Sequence, residues 1–296
     1  MASVPEARTG RGAALEWLPV AVGLAALYLP VFYDLARTLW DTEDHAHEPL
    51  ILAVVAWLFW RKRGALLAPA ARRAPITGFT LLVFGLLLYV LGRSQTIGSV
   101  EVGALLPILA GTILAMRGWQ GLEALWFPVL FAAFMVPLPA FFVDALTGPL
   151  KQMVSSSAEQ LLYAAGYPIA RSGVVLVIGQ YELLVADACS GLNSMFSLSA
   201  LGLLYLYIMR RTSWLHNAIV LASILPIAFA ANVVRVVTLV LVTYYFGDEA
   251  GQGFLHGAAG MVLVMAALTI IIVLDAVSAR IASAKTRQAP SRTRVK

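Results

Sequence analysis

Long apolar runs decide what this chain can fold into. Eight can be marked, at about residues 15–33, 47–60, 76–92, 97–116, 121–139, 190–209, 214–234 and 257–276. A helix needs about 20 apolar residues to cross a hydrocarbon core of about 30 Å, and most of these runs are near that length. Hydrophobic residues make up 60% of the 296 and charged residues 12%, more apolar side chain than a soluble domain of this size could enclose. The expected fold class is therefore an all-α polytopic membrane protein with about eight transmembrane helices. Residues 1–285 are expected to form a single integral membrane domain, followed by a basic tail over 286–296.

The net charge of +5 does not point to nucleic acid, because the basic residues sit in short loops beside the apolar runs and not in one patch. Their distribution sets an orientation instead. With the N-terminus in the cytoplasm and the runs alternating, 16 of the 21 lysines and arginines fall on the cytoplasmic side, and Arg37, Arg93, Lys151, Arg171 and Arg235 stay outside. Both termini are then cytoplasmic. Arg8 and Arg11 precede the first run with no clear small-residue cleavage site, so that run is read as a retained span.

Polar residues collect on the outer side. The loop "DLARTLWDTEDHAHEP" has five carboxylates, with His45 and His47. Asp41, Glu43, Asp44 and Glu48 beside those histidines have the composition of a metal site, but the spacing suits a solvated acidic loop running into a helix, with Pro49 in its first turn. No metal and no cofactor is expected. The longest outer connection starts with "FFVDALTGPLKQMVSSSAEQLLYAAGY", whose apolar positions recur at helical spacing. It reads as one or two interfacial helices. Val174, Val175 and Val177, then "GQYELLV", read as a short β-hairpin turning at Gly179 and Gln180. Interfacial helix and hairpin together would form a small cap on the outer face.

The stretch 214–246 is too long for one ordinary span. Twenty-four residues separate Arg211 from Arg235, about 36 Å of helix, which brings Arg235 to the outer leaflet boundary. Pro226 is expected to kink the helix, and residues 236–246 to follow the interface or dip back.

Cys189, the only cysteine, rules out an internal disulfide and sits in the polar stretch "ADACSGLNS" where a span opens. Arg235 lies inside the apolar "ANVVRVVTL", and His256 precedes the last span. Three span ends thus carry Cys189, Arg235 and His256 to one depth on one face. A histidine can take a thiol's proton and return it to a leaving amine, a helix N-terminus favours a thiolate, and an arginine stabilises an oxyanion. This is acyl transfer through a thioester. Each residue alone has a plainer reading: packing for the cysteine, snorkelling for the arginine, an interfacial position for the histidine. His216 reads as an ordinary interface residue and Asp275 as facing the bundle or the headgroups. A transporter or carrier of an anionic or lipid-linked substrate is the alternative function, since an embedded arginine suits it too; a scaffold for polysaccharide export is a third. The clustering of polar groups on one face favours surface chemistry.

The motifs "ADACSGLNS", "ANVVRVVTL" and "HGAAG", in that order, resemble those of the exosortase/archaeosortase family of polytopic membrane cysteine transpeptidases. "TEDHAHEPLILAVVAWLFWRKR" further resembles the exosortase B subgroup, with Glu48 where a glycine is expected. The resemblance implies Cys189 as nucleophile, Arg235 as the family's arginine and His256 as general acid/base, with Asn193 and Asn232 matching motif positions at the substrate. It implies exported protein substrates carrying a C-terminal sorting signal: a Pro-Glu-Pro motif, a membrane helix and a basic end. It implies action at the outer face of a bacterial inner membrane, among lipid. Arg171, in the cap, is a candidate for meeting the signal's glutamate, in competition with Arg37 and Arg93.

Overall fold

The computed structural model describes residues 10–40, 45, 47–68, 74–137, 139–184, 191–209, 214–247, 250, 262 and 265–276. The chain divides into two compact units, Met1–Pro139 and Ala140–Lys296. The first comprises α1 (Gly10–Thr38), α2 (Glu48–Arg61), α3 (Arg63–Leu67), α4 (Pro75–Ser94), α5 (Gly98–Gly103), α6 (Leu105–Phe131) and a 3₁₀ turn, Ala132–Met135. The second comprises α7 (Ala140–Ala164), strands β1 (Ile169–Ser172), β2 (Val175–Ile178) and β3 (Tyr181–Leu184), then α8 (Gly191–Met209), α9 (Trp214–Phe246) and the apolar helix α10 (Met265–Ala276).

Among the described residues four helical stretches are long and apolar enough to cross a bilayer: Leu15–Thr38, Pro75–Ser94, Gly98–Met135 and His216–Phe246. α2 has 14 residues, about 21 Å of helix, which falls short of the hydrocarbon core. Pro49 does stand in its first two positions, with Glu48 in the first turn.

Within Gly98–Met135 the chain reverses. Gly118 adopts φ 70° and ψ −167°, a conformation that a side chain would resist. Beyond it, Gly121 comes back onto Ile113 and Arg117, and Gly103 faces Val136. The expected runs 97–116 and 121–139 are therefore the two arms of a tight helical hairpin. Arg117, just before the reversal, is buried, with Nε donating to the Leu66 carbonyl and Nη1 3.3 Å from Glu16 Oε2.

A glycine stripe joins α4 to this hairpin. Gly78, Gly85 and Gly92 recur every seven residues and are buried in α4, opposite Ala115, Ile108 and Glu101, while Gly111 meets Leu82 from the other side. Lipid supplies no hydrophobic drive between helices, so close backbone approach over small residues has to supply the packing.

In the second unit α9 is the axis. It runs 33 residues, about 50 Å, with Pro226 inside it, and residues 236–246 continue the same helix. Its N-terminal half buries Val220, Ile224 and Ala228 against Leu198 of α8 and Ala267 and Ile271 of α10. Its C-terminal half buries Val233, Val236 and Val240 against Val154, Ala158 and Leu162 of α7 and against Ile169, Leu176 and Ile178 of the sheet. The expected interfacial segment is one 25-residue helix, α7. It buries one stripe and leaves Phe142, Met153, Leu161 and Tyr163 exposed.

The expected hairpin is a three-stranded antiparallel meander, β1-β2-β3. Ile178 pairs with Tyr181 across Gly179–Gln180, as the sequence suggests. Ser172 pairs with Val175 across Gly173–Val174, so Val174 belongs to a turn and not to a strand. Gly173 and Gly179 open these two-residue loops at φ 65° and 59°, the position where glycine carries no steric cost. β1, "IARS", escaped notice because it has a single apolar residue to bury, Ile169.

One methyl group tests the glycine stripe. A Cβ on Gly85 would lie 2.7 Å from Ile108 Cγ1 and 2.9 Å from the Ile108 amide, whereas one on Gly64 meets nothing within 4 Å. Gly85→Ala is expected to destabilise by about 1–3 kcal/mol, and Gly64→Ala to be neutral or slightly stabilising. Thermal unfolding of both variants in the same detergent checks this.

Candidate catalytic site

The stripe of α9 that faces the interior of the second unit reads Ala228, Asn232, Arg235, Leu239, Thr243, and every one of these is buried. Three of the five are polar. Asn232 and Arg235 are one turn apart on the same face, 3% and 4% exposed, while Val234 between them is 58% exposed. An arginine stays charged at any accessible pH, and enclosing an ion costs several kcal/mol before its partners repay it. With its side chain almost wholly enclosed, Arg235 does not snorkel.

α7 and the sheet cover the neighbouring stripe of α9 through Val233, Val236 and Val240, the residues that flank Arg235 and the turns above it. The β2–β3 turn is held at the C-terminal end of α9. A Cβ on Gly179 would lie 3.8 Å from the Tyr244 ring, and one on Gly247 would lie 3.8 Å from Tyr181 Oη. Tyr167 Oη is 3.0 Å from Tyr245 Oη, and the Tyr167, Tyr244 and Tyr245 rings meet edge to face.

Of the six residues singled out by sequence, the structure therefore brings Asn232 and Arg235 together. Cys189 falls between the end of β3 at Leu184 and the start of α8 at Gly191, outside the described residues. His256 also lies outside them, between α9 and α10, as does the side chain of Asn193 in the first turn of α8. Arg171 is held within the cap: its Nε donates to Glu159 Oε2 at 2.9 Å and its Nη1 to the Gly173 carbonyl at 2.9 Å. Its competitors are engaged too. Arg93 bonds Asp34 at 2.9 Å and Glu101 at 3.2 Å, and Arg37 lies 4.7 Å over the Tyr33 ring.

The acidic loop ends in a helix-start clamp. Glu48, 2% exposed, receives Trp40 Nε1 at 2.8 Å and lies 2.6 Å from His45 Nδ1. Asp41, Glu43 and Asp44 lie outside the described residues, among which no group of three or more His, Cys, Asp or Glu is arranged to hold a metal. In α7, Ser155 is fully buried and donates to the Lys151 carbonyl at 2.7 Å, a bond internal to the helix.

One cluster went unread in the sequence. His216 Nε2 lies 2.6 Å from Asp275 Oδ1, and Tyr205 Oη donates to Asp275 Oδ2 at 2.9 Å. Asp275 is 1% exposed. The signal available was an ionisable group inside each of two apolar runs, which within a bundle has to find a partner.

Several apolar helices of bilayer-crossing length, with a charged residue enclosed inside one of them, define a multi-pass membrane protein. The chain matches the family described as transmembrane exosortase (Exosortase_EpsH) over residues 39–273, well over half its length, and it belongs to the exosortase family. That membership supports the role of a membrane transpeptidase acting on proteins that carry sorting signals. Neither a curated protein nor a solved structure matches the chain.

The cap's two kinds of contact should separate in mutants. Leu176→Ala, at a fully buried position of the core shared with α9, is expected to cost about 2–5 kcal/mol. Arg171→Ala, which breaks a partly exposed ion pair, is expected to cost no more than about 1 kcal/mol. Thermal unfolding measures both.

Proposed function

We propose that the chain is a cysteine transpeptidase, most like the exosortase B subgroup, that cleaves Pro-Glu-Pro-type C-terminal sorting signals at the outer face of a bacterial inner membrane. The observation that carries this reading is the enclosure of Arg235, beside Asn232, in the half of α9 that the cap covers. A permanently charged group kept inside a membrane bundle is functional by default, and this one lies in the family's arginine motif.

In the proposed reaction His256 accepts the Cys189 thiol proton and the sulfur attacks the scissile carbonyl carbon. The carbonyl electron pair becomes an oxyanion, which Arg235 stabilises. Collapse expels the amine of the membrane-helix fragment, which takes the proton from His256, and leaves a thioester on Cys189. An amine or water then attacks that thioester, returning the proton to sulfur. Asn193 and Asn232 orient the substrate. Arg171 meets the motif's glutamate by sharing its fork with Glu159, since a guanidinium has donors to spare.

Eight passes complete the picture: α1, α2 together with α3, α4, the two arms of Gly98–Met135, α8, α9 and α10, with α7 at the outer interface. Both termini are cytoplasmic, by the 16-to-5 bias of basic residues, and residues 1–285 act as one membrane domain ahead of the basic tail. The substrate's membrane helix then lies beside the bundle in lipid and delivers its motif at the outer boundary.

Co-expression with a Pro-Glu-Pro-tagged membrane substrate tests the assignment. Cys189→Ala is expected to abolish cleavage. Arg235→Ala is expected to lower the rate by about 10²–10³-fold, the cost of one oxyanion donor, and Arg235→Lys to restore part of it. Cleavage surviving in Cys189→Ala would remove the thioester mechanism.

A further inference from the structure

The cluster of half-buried Tyr205 with buried His216 and Asp275 takes one member from each of three helices, and those helices are α8, α9 and α10. In the reading above the same three segments carry Cys189, Arg235 and His256 at their other ends. Sixteen residues separate Cys189 from Tyr205, nineteen separate His216 from Arg235, and nineteen separate His256 from Asp275. The stretch from His216 to Arg235 is helix throughout, about 28 Å long, one hydrocarbon thickness.

We propose that Asp275, through His216 and Tyr205, is a positioning residue that sets the axial register of these helices and so the alignment of Cys189, Arg235 and His256. The proposal rests on the catalytic reading given above. Between the two ends the helices share an apolar core of Leu198, Val220, Ile224, Ala228, Ala267 and Ile271, and apolar packing in lipid tolerates discrete slips of one helix past another by a turn, about 5.4 Å. Hydrogen bonds of 2.6 and 2.9 Å to the two oxygens of one carboxylate do not. A slip of one turn exceeds the reach of a proton transfer, and even about 1 Å of misplacement can cost about 10²-fold in rate.

Asp275 is 1% exposed and His216 8%, so neither is available to a substrate. Their effect has to travel along the helices. Because Cys189 is the only thiol in the chain, its alkylation by iodoacetamide reads the far end of the bundle without any substrate, since alkylation follows thiolate content.

The experiment compares wild type, Asp275→Ala, Asp275→Asn, Tyr205→Phe, His256→Ala and Ile271→Ala in detergent, measuring alkylation at neutral pH, kcat and KM for the tagged substrate, and Tm. Asp275→Ala is expected to slow alkylation to the level of His256→Ala and to lower kcat about 10²-fold with KM little changed. Asp275→Asn, which keeps one acceptor oxygen and offers an amide donor in place of the other, is expected to recover most of both. Ile271→Ala is expected to lower Tm while leaving alkylation near wild type, so that instability alone is not the cause. If Asp275→Ala yields no folded protein, Tyr205→Phe, the loss of one hydroxyl, carries the same expectation in weaker form. A reactive wild-type thiol with unchanged alkylation and kcat in the cluster variants overturns the positioning role alone. An inert wild-type thiol together with no cleavage overturns the catalytic reading and this proposal with it.

Discussion

The second unit depends on keeping one charge inside a membrane helix. Arg235 cannot neutralise itself, so the protein must keep it from lipid, and holds it 4% exposed one turn from the buried Asn232. α9 meets that demand by changing partners along its length. Its first half lies in an ordinary three-helix core with α8 and α10. Its second half is sheathed by α7 and a three-stranded sheet. A helix of about 50 Å is longer than a bilayer core, and the cap gives the surplus turns something other than lipid to pack on.

The sheet follows from the same constraint. Strand edges are not tolerated against hydrocarbon, so a meander this small persists only where protein covers one face. Leu176 and Ile178 provide that face, and the tyrosines at the end of α9 hold its turn. The chain leaves β3 five residues before Cys189 and enters α8 two residues after it. The cap thus both packs on the stripe of α9 beside Arg235 and leads the chain into the stretch that holds the cysteine.

Much of this was legible from periodicity and residue type. The apolar runs marked the helices, the helical spacing of 140–164 marked α7, and Gly179–Gln180 marked the β2–β3 turn. What escaped depended on contacts that no local pattern records. β1 buries one side chain, so alternation could not reveal it. The break between the runs 97–116 and 121–139 marked the reversal, but how tight it is shows only in the Gly118 φ of 70° and in the return of Gly121 onto Ile113. The glycines of α4, seven apart, were visible as letters, but their meaning needed the opposing helix. For the site, Arg235 was singled out by its apolar setting and Asn232 by the motif resemblance alone, whereas the bond between His216 and Asp275 joins residues 59 apart in the chain.

The account's central claim is that Cys189 forms a covalent bond to its substrate. Mass spectrometry of the purified protein, after co-expression of the His256→Ala and wild-type chains with a Pro-Glu-Pro-tagged membrane substrate, tests it most directly. The account predicts a substrate acyl adduct on Cys189 in the wild type, discharged by added amine or by water, and little or none in His256→Ala. Substrate cleaved without any adduct on Cys189, or an adduct on another residue, would contradict it.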